Sequence, residues 1–425
     1  MSDISEQVSN SMALELSRHQ ARHSAEFDPV GRTVSELCEI FKRLREEKPV
    51  FYWQPMNAWV VTRYDDVASV YKRSDEFRSD ALYDDVNPEA IVLLRDPGLP
   101  APWSTPQIAS ISDPDHHRLR DAVASWFMPR AMKRQEAAVR RLVRELTSEL
   151  ASARQADFVR QFADLVPLRV ILSLLNFPVN NYQQIREWSW AFCRLVSQPM
   201  SSADQRDCAR KVIEFQHFVR ELIQNRIASP QDDLFSELIQ ARERADVVIS
   251  DAEIILMAFT MIFAGQDTTS ASAASMFRHL LEDRSRWQAV QADRSSIPDV
   301  VEEALRFDGV LQMARRIAPE PAEIGGVVVQ GTVYPSVFSA NHDEAKFSDP
   351  EHFDPARTSA AKIPHLAFGF GSHYCLGAPL ARIELRAMLE DALDHMPGLR
   401  LTEGQKLVYA PNIVMRQLEQ LPVEW

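Results

Sequence analysis

Apolar residues recur at helical spacing through most of the middle of the chain. Between residues 113 and 310 they follow the pattern that is typical of packed helices. The longest predicted helix runs from about 251 to 283, and shorter ones are predicted in "ELCEIFKRLREEKP" and "YDDVASVYKRSDEF". Prolines interrupt the helical pattern at four points, namely Pro129, Pro178, Pro199 and Pro230. The pattern predicts a mainly α-helical protein.

Strand-like segments occur toward both ends of the chain. In "VFYWQPMNAWVVT", aromatic and β-branched residues at 50–53 and 59–62 flank a turn at 55–57, which predicts a β-hairpin. Short strands are also predicted in "EIGGVVVQGTVYPSVFSA" and in the C-terminal "LVYAPNIVMRQLEQLPVEW". The predicted fold class is therefore mainly α with a minor β portion.

The placement of these strands bears on domain organisation. Because both ends supply strands, we predict a single domain over residues 31–425, preceded by a polar N-terminal lead over residues 1–30. Residues 81–112 contain five prolines together with Leu94 and Trp103. A loop this long inside a compact domain is usually functional, so we predict a packed lid there.

Composition excludes several classes of protein. The 425 residues carry a net charge of −13, which argues against a nucleic-acid partner. The cysteines are far apart and show neither a disulfide framework nor zinc-ligand spacing, which fits a reducing cytoplasm; they are Cys38, Cys193, Cys208 and Cys375. Neither a signal peptide nor a run of about 18 apolar residues is evident, so no membrane span is predicted.

One cysteine lies in an unusual setting, the segment "HLAFGFGSHYCLGAPLAR" at residues 365–382. The segment holds three of the chain's 12 glycines, and a helical pattern follows it. A buried structural cysteine is the plain alternative. However, a thiol at the start of a helix meets free N–H groups and the positive end of the helix dipole, which stabilise a thiolate. The setting therefore favours a stabilised thiolate at Cys375 as the alternative to a structural cysteine.

Two helical segments carry further candidate chemistry. "AGQDTTSA" thins the side chains of the long helix at Ala264 and Gly265, beside an acid and a hydroxyl at Asp267 and Thr268. A helix–helix crossing is the alternative explanation for the small residues. "VEEALRF" places Glu303 and Arg306 on one helical face, and Glu302 is four residues from the same arginine. An exposed surface ion pair would be the simpler interpretation.

These motifs together resemble the cytochrome P450 family. The cysteine segment fits the pattern F-x-x-G-x-H-x-C-x-G of the family's haem-binding loop. "AGQDT" resembles the family's oxygen-activating signature, and "EALR" with the later "FDPAR" resembles its structural E-x-x-R network. "DPDHHRLR" and "MARRIAPEPAEIGG" resemble the segments that hold the haem propionates. The resemblance covers the chain from about residue 50 to its end, and the five motifs occur in the family's order.

The resemblance implies a role for each matching residue. Cys375 would ligate the iron of haem b, and Asp267 and Thr268 would be the catalytic acid and alcohol. Further haem contacts are implied at His116, Arg120, Ala264, Arg316, Phe368, Gly369, His373 and Gly377. His117 and Arg315 are the less favoured alternatives to His116 and Arg316. The implied structural network consists of Glu303, Arg306 and Arg357.

The resemblance also implies a fold and an activity. The fold would be that of cytochrome P450, with the haem between the long central helix and the cysteine loop and its helix. The activity would be that of a cytoplasmic, monomeric haem-thiolate monooxygenase, which inserts one oxygen atom of O2 into a small organic substrate of secondary metabolism. Electrons would come from a separate ferredoxin or flavodoxin with its reductase. Oxidative coupling, rearrangement and a non-catalytic haem sensor are the alternatives.

Surfaces and pocket are less well defined by the sequence. A basic docking patch for the redox partner is predicted at Arg118, Arg130, Lys133 and Arg134. By analogy with the family, the substrate pocket is predicted to include Thr260, Phe263, Gln312, Met313 and Ile413. The sequence departs from the family at Gly309, where proline is usual, and in "VVVQGTVYP". These departures leave the local backbone path open.

Overall fold

Two sheets flank a helical body. The computed structural model describes residues 27–79, 94, 99, 105, 107–178, 182–197, 200–242, 249–357 and 363–425. Its helices are α1 Val34–Glu47, α2 Tyr64–Lys72, α3 Asp115–Phe127, α4 Pro129–Ala151, α5 Leu165–Leu174, α6 Tyr182–Ser197, α7 Ser202–Ala228, α8 Leu234–Ala241, α9 Asp251–Glu282, α10 Arg284–Ala292, α11 Ile297–Phe307, α12 Val337–Asn341 and α13 Ala378–His395. Its strands are β1 Val50–Trp53, β2 Ala58–Val61, β3 Gln155–Asp157, β4 Arg316–Ile324, β5 Val327–Pro335, β6 Arg400–Leu401 and β7 Pro422–Glu424. The predicted fold class is confirmed.

The first sheet joins the two ends of the chain. Its strand order is β1-β2-β5-β4, and the predicted hairpin is its edge. Strand β2 runs parallel to β5, so that Ala58 is paired with Thr332. Strand β5 contains the unusual "VVVQGTVYP", in which Gly331 has a φ of +87°. The second sheet has the order β3-β7-β6 and again combines central and C-terminal segments.

Helix α9 is the central element of the fold. It has 32 residues and begins with a capping box, in which Ser250 and Glu253 bind each other's backbone N–H groups. It packs against α5, α11 and α13. By length and hydropathy α9 could cross a membrane, but 67% of its apolar 18-residue stretch is buried inside the protein. A buried apolar helix of this kind is typical of a protein core.

The N-terminal edge of the described chain is well packed. Phe27 is only 4% exposed, and its ring lies in edge contact with Phe41, Phe51 and Trp53 at centroid distances of 4.9–5.6 Å. Such aromatic contacts stabilise the fold beyond the contribution of the apolar surface that they bury. Phe27 belongs to the lead predicted over residues 1–30, so part of that lead packs against the domain. The domain division itself stays a prediction.

Gly309 follows α11, where the family usually has proline. A Cβ atom there would lie 2.4 Å from the carbonyl oxygen of Leu305, closer than any real contact. The backbone path at the end of α11 therefore excludes a side chain. Of the predicted lid at 81–112, only Leu94, Leu99, Thr105 and residues 107–112 are described; Trp103 lies outside the described residues. Leu94 is 1% exposed.

Candidate active site

The cysteine loop is held by backbone hydrogen bonds and left-handed glycines. The N–H of Cys375 donates to the carbonyl of Phe368 at 3.0 Å, which folds the loop back on itself. Gly369 and Gly371 have φ values of +70° and +73°. A Cβ atom at Gly371 would lie 2.5 Å from the carbonyl oxygen of Tyr71 in α2. Glycine is required there because the loop meets another backbone.

The thiol of Cys375 lies just before α13, which begins after Gly377. Burial raises the pKa of this thiol above its usual value, while the N–H groups of Gly377 and Ala378 act to lower it. Arg120 and Arg382 also act to lower that pKa. By accessible surface Cys375 is exposed.

Four basic side chains lie near this thiol. The rings of His116 and His373 pack together with centroids 3.9 Å apart. Arg120 donates to the carbonyl oxygen of Tyr374 at 2.8 Å. Burial, together with the positive charges of His116 and Arg316, lowers the pKa of His373 to about 3. The side chains that the resemblance assigns to propionate binding are thus brought together.

Arg316 has a contact that connects it with this cluster. Its guanidinium lies 5.0 Å above the ring of Tyr71, a cation–π contact. The hydroxyl of Tyr71 and that of Ser372 are buried without a hydrogen-bond partner among the described residues. Both are neighbours of the cluster, and unsatisfied buried polar atoms of this kind are rare unless a ligand or water satisfies them.

The small residues of α9 serve two purposes. Ala264 is exposed in the middle of an otherwise buried helix. Gly265 faces α5 instead, where a Cβ atom would contact the side chain of Ile171 at 3.5 Å. A helix–helix crossing therefore explains the small residue at 265. Ala264, by contrast, is accessible. The hydroxyl of Thr268 donates to the carbonyl of Ala264 at 2.6 Å, and Asp267 is 9% exposed.

The predicted structural network is assembled and buried. Glu303 accepts two hydrogen bonds from Arg306, at 2.7 and 2.8 Å, and one from Arg357 at 3.4 Å. Arg306 and Arg357 also donate to backbone carbonyls in the segment 341–352. Glu303 is completely buried and Arg306 is 2% exposed, so the pair is not a surface ion pair. It fixes the chain segment that precedes the cysteine loop.

Glu302 has a separate role that the sequence did not reveal. It binds Arg382 through two hydrogen bonds of 2.5 and 2.8 Å, and its carboxylate lies 3.2 Å from the imidazole of His365. Burial acts to raise the pKa of Glu302, but the bonds from Arg382 and His365 outweigh it and lower that pKa to about 2. The guanidinium of Arg382 also lies 4.5 Å from the ring centre of Phe368. One carboxylate therefore ties both ends of the cysteine loop.

The predicted substrate pocket is only partly accessible. Gln312 is 1% exposed and donates its amide to the carbonyl of Pro29, and Met313 has no exposed surface. Neither side chain is available to a substrate in this structure. Thr260 is 9% exposed and its hydroxyl donates to the carbonyl of Leu256. Phe263 and Ile413 are partly buried, so they are the predicted pocket residues with accessible surface.

The predicted docking patch divides in two. Arg118 is engaged by Asp115 and Glu253, at 2.8 and 2.5 Å, and is therefore paired. Arg130, Lys133 and Arg134 are exposed at the start of α4. A groove of about 420 Å³ adjoins them, lined by Met132, Lys133, Glu136, Pro379, Arg382, Ile383 and Arg386. The groove thus lies beside the helix that follows Cys375.

The residues present fit a haem. A thiol with two N–H neighbours, arginine and imidazole side chains suited to two propionates, and unsatisfied hydroxyls beside them are groups that this cofactor needs. Fold and site together define the haem-thiolate class of proteins.

Comparison with known proteins identifies the family. The family model described as Cytochrome P450 matches residues 31–396. The mycinamicin IV hydroxylase/epoxidase of Micromonospora griseorubida is 32% identical over 404 residues, which cover 92% of this chain and 96% of that relative. A polyketide biosynthesis cytochrome P450 of Bacillus subtilis is 29% identical, with coverages of 90% and 94%. The crystal structure of the Tepidiphilus thermophilus P450 heme domain aligns with a TM-score of 0.87 at 29% identity, covering 94% of this chain and 96% of that one.

The chain therefore belongs to the cytochrome P450 family, and it is an oxidoreductase of the monooxygenase type. A haem-iron thiolate cofactor, redox partners and a substrate follow from membership of the family.

Proposed function

We propose that this monooxygenase oxidises a small organic molecule of secondary metabolism, with Cys375 as the ligand of haem b. The observation that carries the proposal is the position of the Cys375 thiol, which lies beside the N–H groups of Gly377 and Ala378 and within the influence of Arg120 and Arg382. When bound, the haem supplies the activation of O2 and the transfer of one oxygen atom to the substrate. His116, Arg120, Arg316 and His373 would hold its carboxylates.

Thr268 and Asp267 would manage protons. The Thr268 hydroxyl uses its only proton in the bond to the Ala264 carbonyl, so its oxygen is left to accept a hydrogen bond. Thr268 would therefore orient a water molecule by accepting a hydrogen bond from it. The buried carboxylate of Asp267, adjacent on α9, would pass protons toward that water. Both residues would act beside the exposed Ala264.

The names of the relatives support the substrate class. Hydroxylation and epoxidation appear in the name of one relative, and polyketide biosynthesis in that of another. We infer a C–H or C=C bond of a natural product as the site of attack. Phe263 and Ile413 would supply an apolar wall to the pocket.

The groove beside α13 supports the proposal of a docking site for an electron donor. Exposed cations at Arg130, Lys133 and Arg134 adjoin the groove, where Arg382 and Arg386 add positive charge. An acidic ferredoxin or flavodoxin, reduced by its reductase, would dock there because opposite charges steer association. A monomeric state and a cytoplasmic location stay predictions from the sequence.

The test is the absorption spectrum of the reduced, CO-bound protein. A strongly red-shifted Soret band is expected, and Cys375→Ala should abolish it. Cys208→Ala, which removes another free cysteine, should leave the band unchanged. A haem-loaded protein without the red-shifted band would contradict thiolate ligation by Cys375.

The role of Thr268 needs a measurement of coupling. Thr268→Ala should keep the spectrum but divert reducing equivalents from product to hydrogen peroxide. Ser272→Ala is the matched control, since its hydroxyl makes the same kind of bond one turn later, to the carbonyl of Thr268. Unchanged coupling in Thr268→Ala would refute the proposed role. Absence of turnover with any reductant would favour the alternative of a haem sensor.

A further inference from the structure

Three potential metal ligands converge at the N-terminal end of α3. Asp113, His116 and His117 each offer one donor atom, and the three atoms lie within 4.8 Å of one another. The Nδ1 atom of His117 contacts Oδ1 of Asp113, and Nδ1 of His116 lies 3.3 Å from the same oxygen. Donor atoms that share one tetrahedral ion at ordinary bond lengths lie about 3.3–3.5 Å apart. The cluster therefore needs little adjustment to enclose an ion.

His116 provides an independent observation. Its side chain is 1% exposed, and its Nδ1 atom has no hydrogen-bond partner among the described residues. The distance to Asp113 is short, but the angle does not make a hydrogen bond. A buried imidazole nitrogen without a partner is unusual, and this one lies 3.3 Å from a carboxylate oxygen of Asp113. A metal ion would satisfy it.

We propose that Asp113, His116 and His117 form a binding site for a divalent transition-metal ion, with zinc as its test ion. Two imidazole nitrogens and one carboxylate oxygen are ligands that zinc accepts, usually with water in the fourth position. His117 and Asp113 are accessible, with side-chain exposures of 63% and 27%, so water can complete the coordination. A nearby positive charge on Arg120 opposes a cation here, so affinity must come from the ligand bonds. Magnesium, which prefers oxygen ligands, should not bind.

The site would act on haem retention, a consequence that rests on the proposed function. His116 packs against His373, and both are assigned to the propionates. A metal on Nδ1 of His116 leaves the other ring nitrogen, Nε2, protonated, because one ring nitrogen of a neutral imidazole carries the proton. The imidazole would then donate from Nε2 to a carboxylate. Zinc should therefore slow the loss of haem.

The first experiment measures zinc binding to the tag-free, haem-loaded protein by calorimetry and by metal analysis after dialysis. One zinc ion per chain is expected, and Asp113→Asn and His117→Gln should each weaken its affinity at least about tenfold. His395→Gln is the matched control, since His395 also faces an aspartate four residues earlier but has no second histidine. No binding, or binding that both ligand variants leave unchanged, would overturn the proposal.

The second experiment measures the transfer of haem to an excess of apomyoglobin. Zinc should slow this transfer severalfold in the unmodified protein and in His395→Gln, and should have no effect in His117→Gln. An equal effect of zinc in all three would overturn the coupling to His116. Failure of the proposed function would show itself differently, because the protein would then hold no haem, while zinc binding could still be measured.

Discussion

Glu302 and Glu303 are neighbours on α11, yet they stabilise two different regions of the protein. Glu303 is fully buried and joins two arginines to the segment 341–352. Glu302 is 28% exposed at its side chain and closes the cysteine loop through Arg382 and His365. The first carboxylate fixes a scaffold, whereas the second lies close enough to the thiol for its partner Arg382 to influence the sulfur. Adjacent identical residues can therefore differ in function because they face different elements.

Removal of Arg306 should have the largest effect on stability. Arg306→Ala leaves the Glu303 carboxylate buried with less compensation, and breaking a buried ion pair costs roughly 3–5 kcal/mol. The free energy of unfolding in urea measures the loss. Arg294→Ala, which breaks an exposed pair with Asp394, is the control and should cost less than about 1 kcal/mol. Equal losses in the two variants would contradict the structural role of Arg306.

Substitution of Glu302 should have a smaller effect on stability and a larger effect on the thiol. Glu302→Gln weakens charge-assisted hydrogen bonds, at a cost of about 2 kcal/mol. Because Arg382 is no longer fixed, a larger fraction of the reduced, CO-bound protein should lack the red-shifted Soret band. Glu344→Gln also loses a doubly bonded arginine partner, Arg45, but lies outside the loop and should keep the band. A normal spectrum in Glu302→Gln would show that the bonds of Glu302 to Arg382 and His365 do not affect the thiol.

Acid should remove the contribution of Glu302. Its pKa is about 2 in the folded protein against an ordinary value of 4.5, so it stabilises the fold fully above pH 4.5 and less as the pH falls toward 2. The shift corresponds to at most about 3 kcal/mol. The difference in unfolding free energy between the unmodified protein and Glu302→Gln should therefore shrink over this range. A difference that stays constant with pH would mean that the ionised carboxylate of Glu302 is not the source of the stabilisation.

The glycines within the loop should show the smallest effects, and they should be unequal. Gly371→Ala places a Cβ atom 2.5 Å from the backbone carbonyl of Tyr71 at a positive φ, so the backbone must shift, at a cost of at least about 1–2 kcal/mol. Gly377 has a φ of −76°, and its Cβ would lie 3.8 Å from the Cys375 sulfur, an ordinary contact. Gly377→Ala should therefore change thermal stability little. The reverse order would show that the loop geometry is misassigned.

The sequence predicted what depends on local spacing. Glu303 and Arg306 are three residues apart on a helix, so their contact follows from helix geometry. The hairpin at residues 50–61 and the 32-residue helix follow from hydrophobic period. The cysteine motif is itself a short, continuous pattern, and its glycines mark the turn that the structure contains.

Contacts between distant segments were not predictable in the same way. Glu302 meets Arg382, 80 residues later, only because α11 packs beside α13. Gln312 was expected in the pocket, but its amide binds Pro29, 283 residues earlier. Gly265 permits a contact with Ile171 that no motif records. Each of these depends on how elements pack, which local spacing does not specify.

The closure of the cysteine loop by Glu302 makes residues 365–382 a transferable module. Both ends of the loop meet at a single side chain outside it, so its conformation depends on one external anchor as much as on its own sequence. Grafting the loop into another helical scaffold would require a glutamate at the corresponding place on the neighbouring helix. Chimaeras that exchange the loop without this glutamate would keep Cys375 but lose the orientation of its thiol.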